Sequence, residues 1–292
     1  MVYSIENDKL YVSVELKGAQ LKSIFSKETN VEYLWQGDEK YWMGRAYNLF
    51  PYVGRLAKGK YVVCGNEYAM DRHGFARGET FELVEKGDDF MIFALKANER
   101  TKAVYPFDFT FFVKFSIEGK TLTVTYKVEN CGNGTMYFGL GGHPGFNVPF
   151  HGGEFEDYFI QFENNCVPTQ IFASDIGLIT DKTAPYSLVN GKDIPLRHCL
   201  FDNDAIILTE VDKSVYLKGK HTKRAIKVSY PNMENVGFWH MPKTDAPFVC
   251  VEPWMTLPAN EGEPEVLETK KNIGVAKSGE VFETDFSIEI IE

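Results

Sequence analysis

The sequence is poor in cysteine. Its five thiols (Cys64, Cys131, Cys166, Cys199 and Cys250) are odd in number and widely spread, with no Cys-x-x-Cys spacing. That excludes a disulfide framework and a structural zinc cluster, and buried free thiols in a reducing cytoplasm are expected. The chain also has no lysine- or arginine-rich run, and its net charge is −10. Such a surface repels a phosphate backbone, which excludes nucleic acid as a partner. No apolar segment approaches the length of a membrane span, so no membrane partner is expected. Residues 1–10 lack the basic stretch and apolar run of a secretory signal, and the expected location is cytoplasmic. Nucleotide-binding glycine loops, the serine-nucleophile elbow, and the His-Glu-x-x-His and His-x-His metal spacings are absent too. Helical periodicity over three turns is found nowhere. Short helical pieces are placed only at residues 39–42 and 171–176.

Aromatic residues, by contrast, are abundant: 14% of the chain, with 23 Phe and 15 Tyr. Flat side chains suit a pleated, half-buried surface and so favour strands. In residues 108–118 the odd positions Phe109, Phe111, Val113, Phe115 and Ile117 are all apolar. After Gly119-Lys120, Leu122, Val124, Tyr126 and Val128 alternate with Thr121, Thr123, Thr125 and Lys127. Alternation with period two across a tight turn predicts a β-hairpin. Residues 10–16, 90–96, 157–163, 225–230 and 281–290 follow the same pattern. Strands that succeed one another without helices predict an all-β chain of antiparallel sheets packed face to face. No composition shift divides residues 1–292, so one large domain is expected. Residues 167–200 read as irregular connecting structure, and 258–264 as an acidic turn.

Four segments each set a functional side chain among glycines, prolines and aromatics: Pro51-Tyr52-Val53-Gly54-Arg55, His73-Gly74-Phe75-Ala76-Arg77, Gly141-Gly142-His143-Pro144-Gly145-Phe146-Asn147 and Cys250-Val251-Glu252-Pro253-Trp254. An arginine, two histidines and a glutamate, each on a turn or strand end, are the inventory of an acid/base site with an anchoring cation. The aromatic neighbours suit a sugar-like ligand with apolar ring faces. Glu252 lies where both faces of a strand are apolar. Burial there raises a carboxylate's pKa and suits a general base, although a surface or ion-paired glutamate fits the pattern as well. His143, displayed on a glycine-rich turn, can serve as general acid or merely hydrogen-bond the turn. Arg55 presents a planar donor fork suited to a hydroxyl pair. Asn48 can share that duty or make an Asx turn. His73 and Arg77 can bind hydroxyls, and Arg77 equally suits a structural ion pair. Arg72 and Arg77 together would also suit a sugar phosphate. Asp202 and Asp204 precede the apolar run 205–208, where a turn role is the default. His240 fits either a cleft or the core. Metal binding by His73, His143 and Glu252 is not expected, because no recognised ligand spacing joins them.

These four segments, in this order and spacing, resemble the aldose 1-epimerase (galactose mutarotase) family over nearly the whole chain, with greatest likeness to its LacX-like branch. The resemblance implies a large antiparallel β-supersandwich and an isomerase that interconverts the anomers of a hexose. It implies His143 as general acid and Glu252 as general base. Arg55, His73, Asn48, Arg77, Asp204 and Trp254 would bind the substrate. Where the galactose-specific branch has a sugar-binding Asp followed by His, this chain has Asp202-Asn203-Asp204. Opening and reclosing a hemiacetal needs neither redox change nor covalent adduct, so no cofactor and no metal is expected. The partners expected are a small-molecule aldose, free or phosphorylated, and at most a second copy of the chain in a homodimer. A non-catalytic sugar-binding or sensory protein is the alternative from another class.

Overall fold

A computed structural model describes residues 1–292. The alternating segments become strands because each has one apolar face to bury. Phe109–Glu118 pairs antiparallel with Thr121–Asn130, Ile117 facing Leu122, and Gly119 sits in the turn. From Phe111 onward buried and half-buried positions alternate along both strands, so one face enters the core and the other meets solvent. They belong to a nine-stranded sheet that also holds Glu82–Lys86, Phe90–Lys96, Tyr158–Phe162, Asp193–Pro195, Ser214–Gly219, Ala225–Ser229 and Val281–Ile291.

A seven-stranded sheet carries the side chains of interest. Its order is Ile179–Pro185, Thr169–Ala173, Ile206–Thr209, Asn235–Trp239, Phe248–Trp254, Gly141–Asn147, Ala46–Leu49, and every pairing is antiparallel. Phe248–Trp254 is buried at every position, as expected of a central strand covered on both faces. A core of 66 buried residues draws on both large sheets, and smaller sheets close the edges. These are the antiparallel sheets expected from the strand pattern, in the β-supersandwich that the resemblance implies.

Several local expectations need correction. Residues 39–42 form a turn, not a helix, closed by the Asp38 and Trp42 backbones. Residues 171–176 begin inside the strand Thr169–Ala173. Residues 167–200 are not irregular, since they contain the hairpin Thr169–Ala173/Ile179–Pro185 and the strand Asp193–Pro195. Their polarity misleads because the hairpin is solvent-facing over much of its length. The only α-helix, Glu99–Val104, has no signature in the sequence pattern. Six residues are too few to show a period, but Asn98 and Thr101 cap its start reciprocally. No helix is long and apolar enough to cross a membrane. All five cysteines are free, yet only Cys250 is buried, while Cys64, Cys131 and Cys199 are exposed.

Candidate active site

The row of residues running across the seven-stranded sheet fixes the site. Gly141 pairs with Trp254 and Gly145 with Cys250, and between them the same register sets His143 opposite Glu252. On the far side of His143 lies Tyr47, and on the far side of Glu252 lies Gly237. His143 and Glu252 are therefore cross-strand neighbours, and their side chains meet, with His143 Nε2 3.2 Å from Glu252 Oε2. Each is almost wholly buried.

The expectation that His143 sits on a glycine turn is corrected: Gly141–Asn147 is a regular strand, and its glycines have no positive φ. Glycine is required there for room. A Cβ on Gly141 would lie 2.8 Å from the Trp254 ring, and one on Gly145 would lie 3.0 Å from Trp42. A Cβ on Gly237 would again strike Trp254, at 2.8 Å. Bare positions beside the acid/base pair thus let two indoles close in on it. The Trp42 and His143 rings lie 4.9 Å apart, and Trp239 approaches His143 edge-on at 5.7 Å. Glu252 is also interior to its strand, not at the end.

His73 arrives from a different element, the turn 71–74. Its backbone N–H donates to Gly54 O at 2.8 Å, and Gly54 N–H donates to His73 Nδ1 at 3.1 Å. Because Nδ1 accepts, the proton of the neutral ring sits on Nε2, which is left to donate. The turn is held by Gly74 at φ +71, where a Cβ would stand 2.2 Å from Phe50 O. Phe75 and Ala76 both donate to that carbonyl. Gly74→Ala is expected to cost at least about 2 kcal/mol, from left-handed strain plus backbone collision. Urea unfolding checks this, and an unchanged midpoint would contradict it.

Seven of the eight residues proposed from sequence line one cavity of about 350 Å³: His143, Glu252, Arg55, His73, Arg77, Asp204 and Trp254. That is the lower range for a small-molecule site. Asn48 does not line it. Its amide donates to the carbonyls of Gly18 and Ala19 and accepts from the Tyr126 hydroxyl, so it is a buried structural clamp. Arg55 and Asp204 flank Gly177, at the tip of the hairpin that the sequence left irregular. His240 is wholly buried away from this cavity, paired with His198 at 3.2 Å. Tyr47, Trp42, Trp239 and Arg72 also line the cavity. Of these, Tyr47 and the two indoles were missed. The signal for Tyr47 was its place on the strand next to His143, which requires the pairing to be known.

Burial pushes the Glu252 carboxyl well above the usual carboxylate range, and the nearby Asp204 carboxylate adds to the shift. Burial holds the His143 imidazole well below its ordinary value, and the Arg77 and Arg72 charges act in the same direction. Both directions favour neutral forms, so the pair retains one proton over a wide range about neutrality. His143 Nδ1 has no hydrogen-bond partner in the protein, and the contact of Glu252 Oε2 with His143 Nε2 falls short of full hydrogen-bond geometry. Under-satisfied buried polar atoms around a cavity point to a polar ligand. Cys250 Sγ lies within 4.8 Å of the His143 and Glu252 donor atoms, so these three could hold a soft cation only by occupying the acid/base pair.

A family profile described as aldose 1-epimerase matches residues 1–267. The chain belongs to the aldose 1-epimerase family. It is 32% identical over 284 residues to the plasmid-encoded protein LacX of Lactococcus lactis subsp. lactis, with 94% of each chain covered. A galactose mutarotase related enzyme from Lactobacillus acidophilus superposes with a TM-score of 0.94 at 33% identity, covering 100% of this chain and 98% of that one. A galactose mutarotase-like protein from Lactobacillus casei gives 0.93 at 30% identity, covering 99% and 100%. The chain is thus an isomerase of the aldose 1-epimerase family with a mutarotase-like fold.

Proposed function

We propose that the protein interconverts the α and β anomers of a hexose by opening and reclosing the pyranose ring. The observation that carries this reading is the buried contact of His143 with Glu252 inside a cavity walled by indole rings and hydroxyl-binding groups. The two oxygens that must exchange protons, the C1 hydroxyl and the ring oxygen, share one carbon. An acid and a base already side by side can therefore reach both. Glu252 as carboxylate takes the C1 hydroxyl proton while His143 as imidazolium protonates the ring oxygen, which breaks the C1–O bond. The aldehyde turns about C1–C2, and the same two transfers run backwards at the other face. The pair begins as carboxylate and imidazolium, holds the open chain as carboxylic acid and imidazole, and returns. One proton suffices throughout, and the form favoured by burial is the one that accompanies the open chain.

His73, with Nε2–H free to donate, and Arg55 beside Asp204 hold hydroxyls, while Trp42, Trp239 and Trp254 cover apolar ring faces. Anomer exchange followed by NMR, with freshly dissolved α-glucose and α-galactose, tests the reading. Equilibration faster than in buffer is expected. Binding without acceleration would favour the sugar-binding alternative instead.

The shared proton sets the pH dependence. Glu252 is raised above its ordinary pKa and His143 lowered below its own, so activity is lost at the acid end only when the pair gains a second proton. At the alkaline end it is lost when the pair gives up its only one. After subtraction of the buffer rate, kcat is expected to be level across the neutral range. A break near 6.5, the ordinary histidine value, would contradict the assignment.

A further inference from the structure

Three arginines line the cavity of a chain whose net charge is −10. None of Arg55, Arg72 and Arg77 reaches a carboxylate within 4.0 Å, although the molecule's other ion pairs are numerous. Arg55 stands beside Asp204 across Gly177. The same Asp204 also bears favourably on Arg72, so one carboxylate serves more than one of the three arginines. Arg72 and Arg77 come from the same short segment as His73 and crowd one wall, where Arg77 lies over the Tyr47 ring at 5.4 Å. Arg72 is half-buried, and Arg55 and Arg77 both bear on it unfavourably. Since the His143–Glu252 pair is neutral overall with its one proton, and Asp204 offsets one of the three arginines, the cavity carries two uncompensated positive charges.

A neutral hexose can accept hydrogen bonds from these guanidiniums but leaves their charge unbalanced, and holding like charges together in a partly dry wall is unfavourable. A phosphoryl group, with a charge of about −1.5 to −2, would neutralise both and accept their donor forks. We propose that the substrate is an aldose bearing an anionic substituent, a phosphoryl group on a carbon other than C1, held by Arg72 and Arg77. This rests on the mutarotase reading of the same cavity. A carboxylate, as in a uronic acid, shares the chemistry and is separated by experiment.

Glucose, glucose 6-phosphate and glucuronate are compared on the wild-type protein, by calorimetric binding and by NMR anomer exchange. Glucose 6-phosphate is expected to exceed glucose about 100-fold in both affinity and kcat/KM, and to lose part of that advantage as salt is raised. Arg72→Gln and Arg77→Gln should each cut the preference about tenfold, and Arg77→Lys should cut it less. Glucose equal to or better than glucose 6-phosphate overturns the proposal while leaving the mutarotase reading intact. Tight, salt-sensitive binding of glucose 6-phosphate without acceleration upholds the anion site and overturns the mutarotase reading. Glucuronate ranking above glucose 6-phosphate overturns the phosphoryl assignment in favour of a carboxylate.

Discussion

Glu252→Gln is expected to lower kcat for anomer exchange about 10³-fold, within the usual range for loss of a general base. The amide keeps the shape of the side chain but cannot take the C1 hydroxyl proton. The fold has no reason to suffer. Glu252 lies in the central strand Phe248–Trp254, and the isosteric amide can keep the contact with His143, so the packing there is retained. Removing an ionisable group from a buried site also removes the cost of charging it. Unfolding midpoints equal to or above wild type should therefore accompany the lost activity. Retained activity in a folded Glu252→Gln protein would take the carboxylate out of the mechanism.

His143→Ala is expected to cost about 10²–10⁴-fold in kcat, with KM changed much less. The imidazole is the proton's other seat, and without it Glu252 stays in the neutral form that burial prefers. The truncation leaves a space beside the Trp42, Tyr47 and Trp239 rings, all within 6.0 Å of His143 by ring centroid. Added imidazole should enter that space and restore several-fold activity, which a purely structural loss would not allow. Undiminished exchange by the folded variant would contradict the assignment.

The fold was largely legible because alternation is a local signal. The hairpin Phe109–Glu118/Thr121–Asn130 could be written down from its residues, since each buried face repeats every second position. The hairpin ending at Gly177 could not, because it is polar on much of its surface and has little apolar face to reveal it. The site was legible wherever chemistry coincided with an unusual local setting, as at His143 among glycines and Glu252 in an apolar strand. Those glycines suggest a turn in sequence, whereas they act by leaving space for Trp254 and Trp42. Asn48 was misplaced for a related reason: its nearness to Arg55 in sequence hid that its side chain points to Gly18, Ala19 and Tyr126. Tyr47 and Trp239 belong to the site through cross-strand register and packing, which no single segment displays.

The account stands on two residues working as one device, so the decisive measurement is anomer exchange by the double variant Glu252→Gln/His143→Ala beside each single variant. Neither member can do its part without the other, since each alone rests in its neutral form. The double variant should accordingly be no more than a few-fold slower than the worse single one. Losses that multiply, with each single variant retaining an independent share of the rate, would contradict a shared proton.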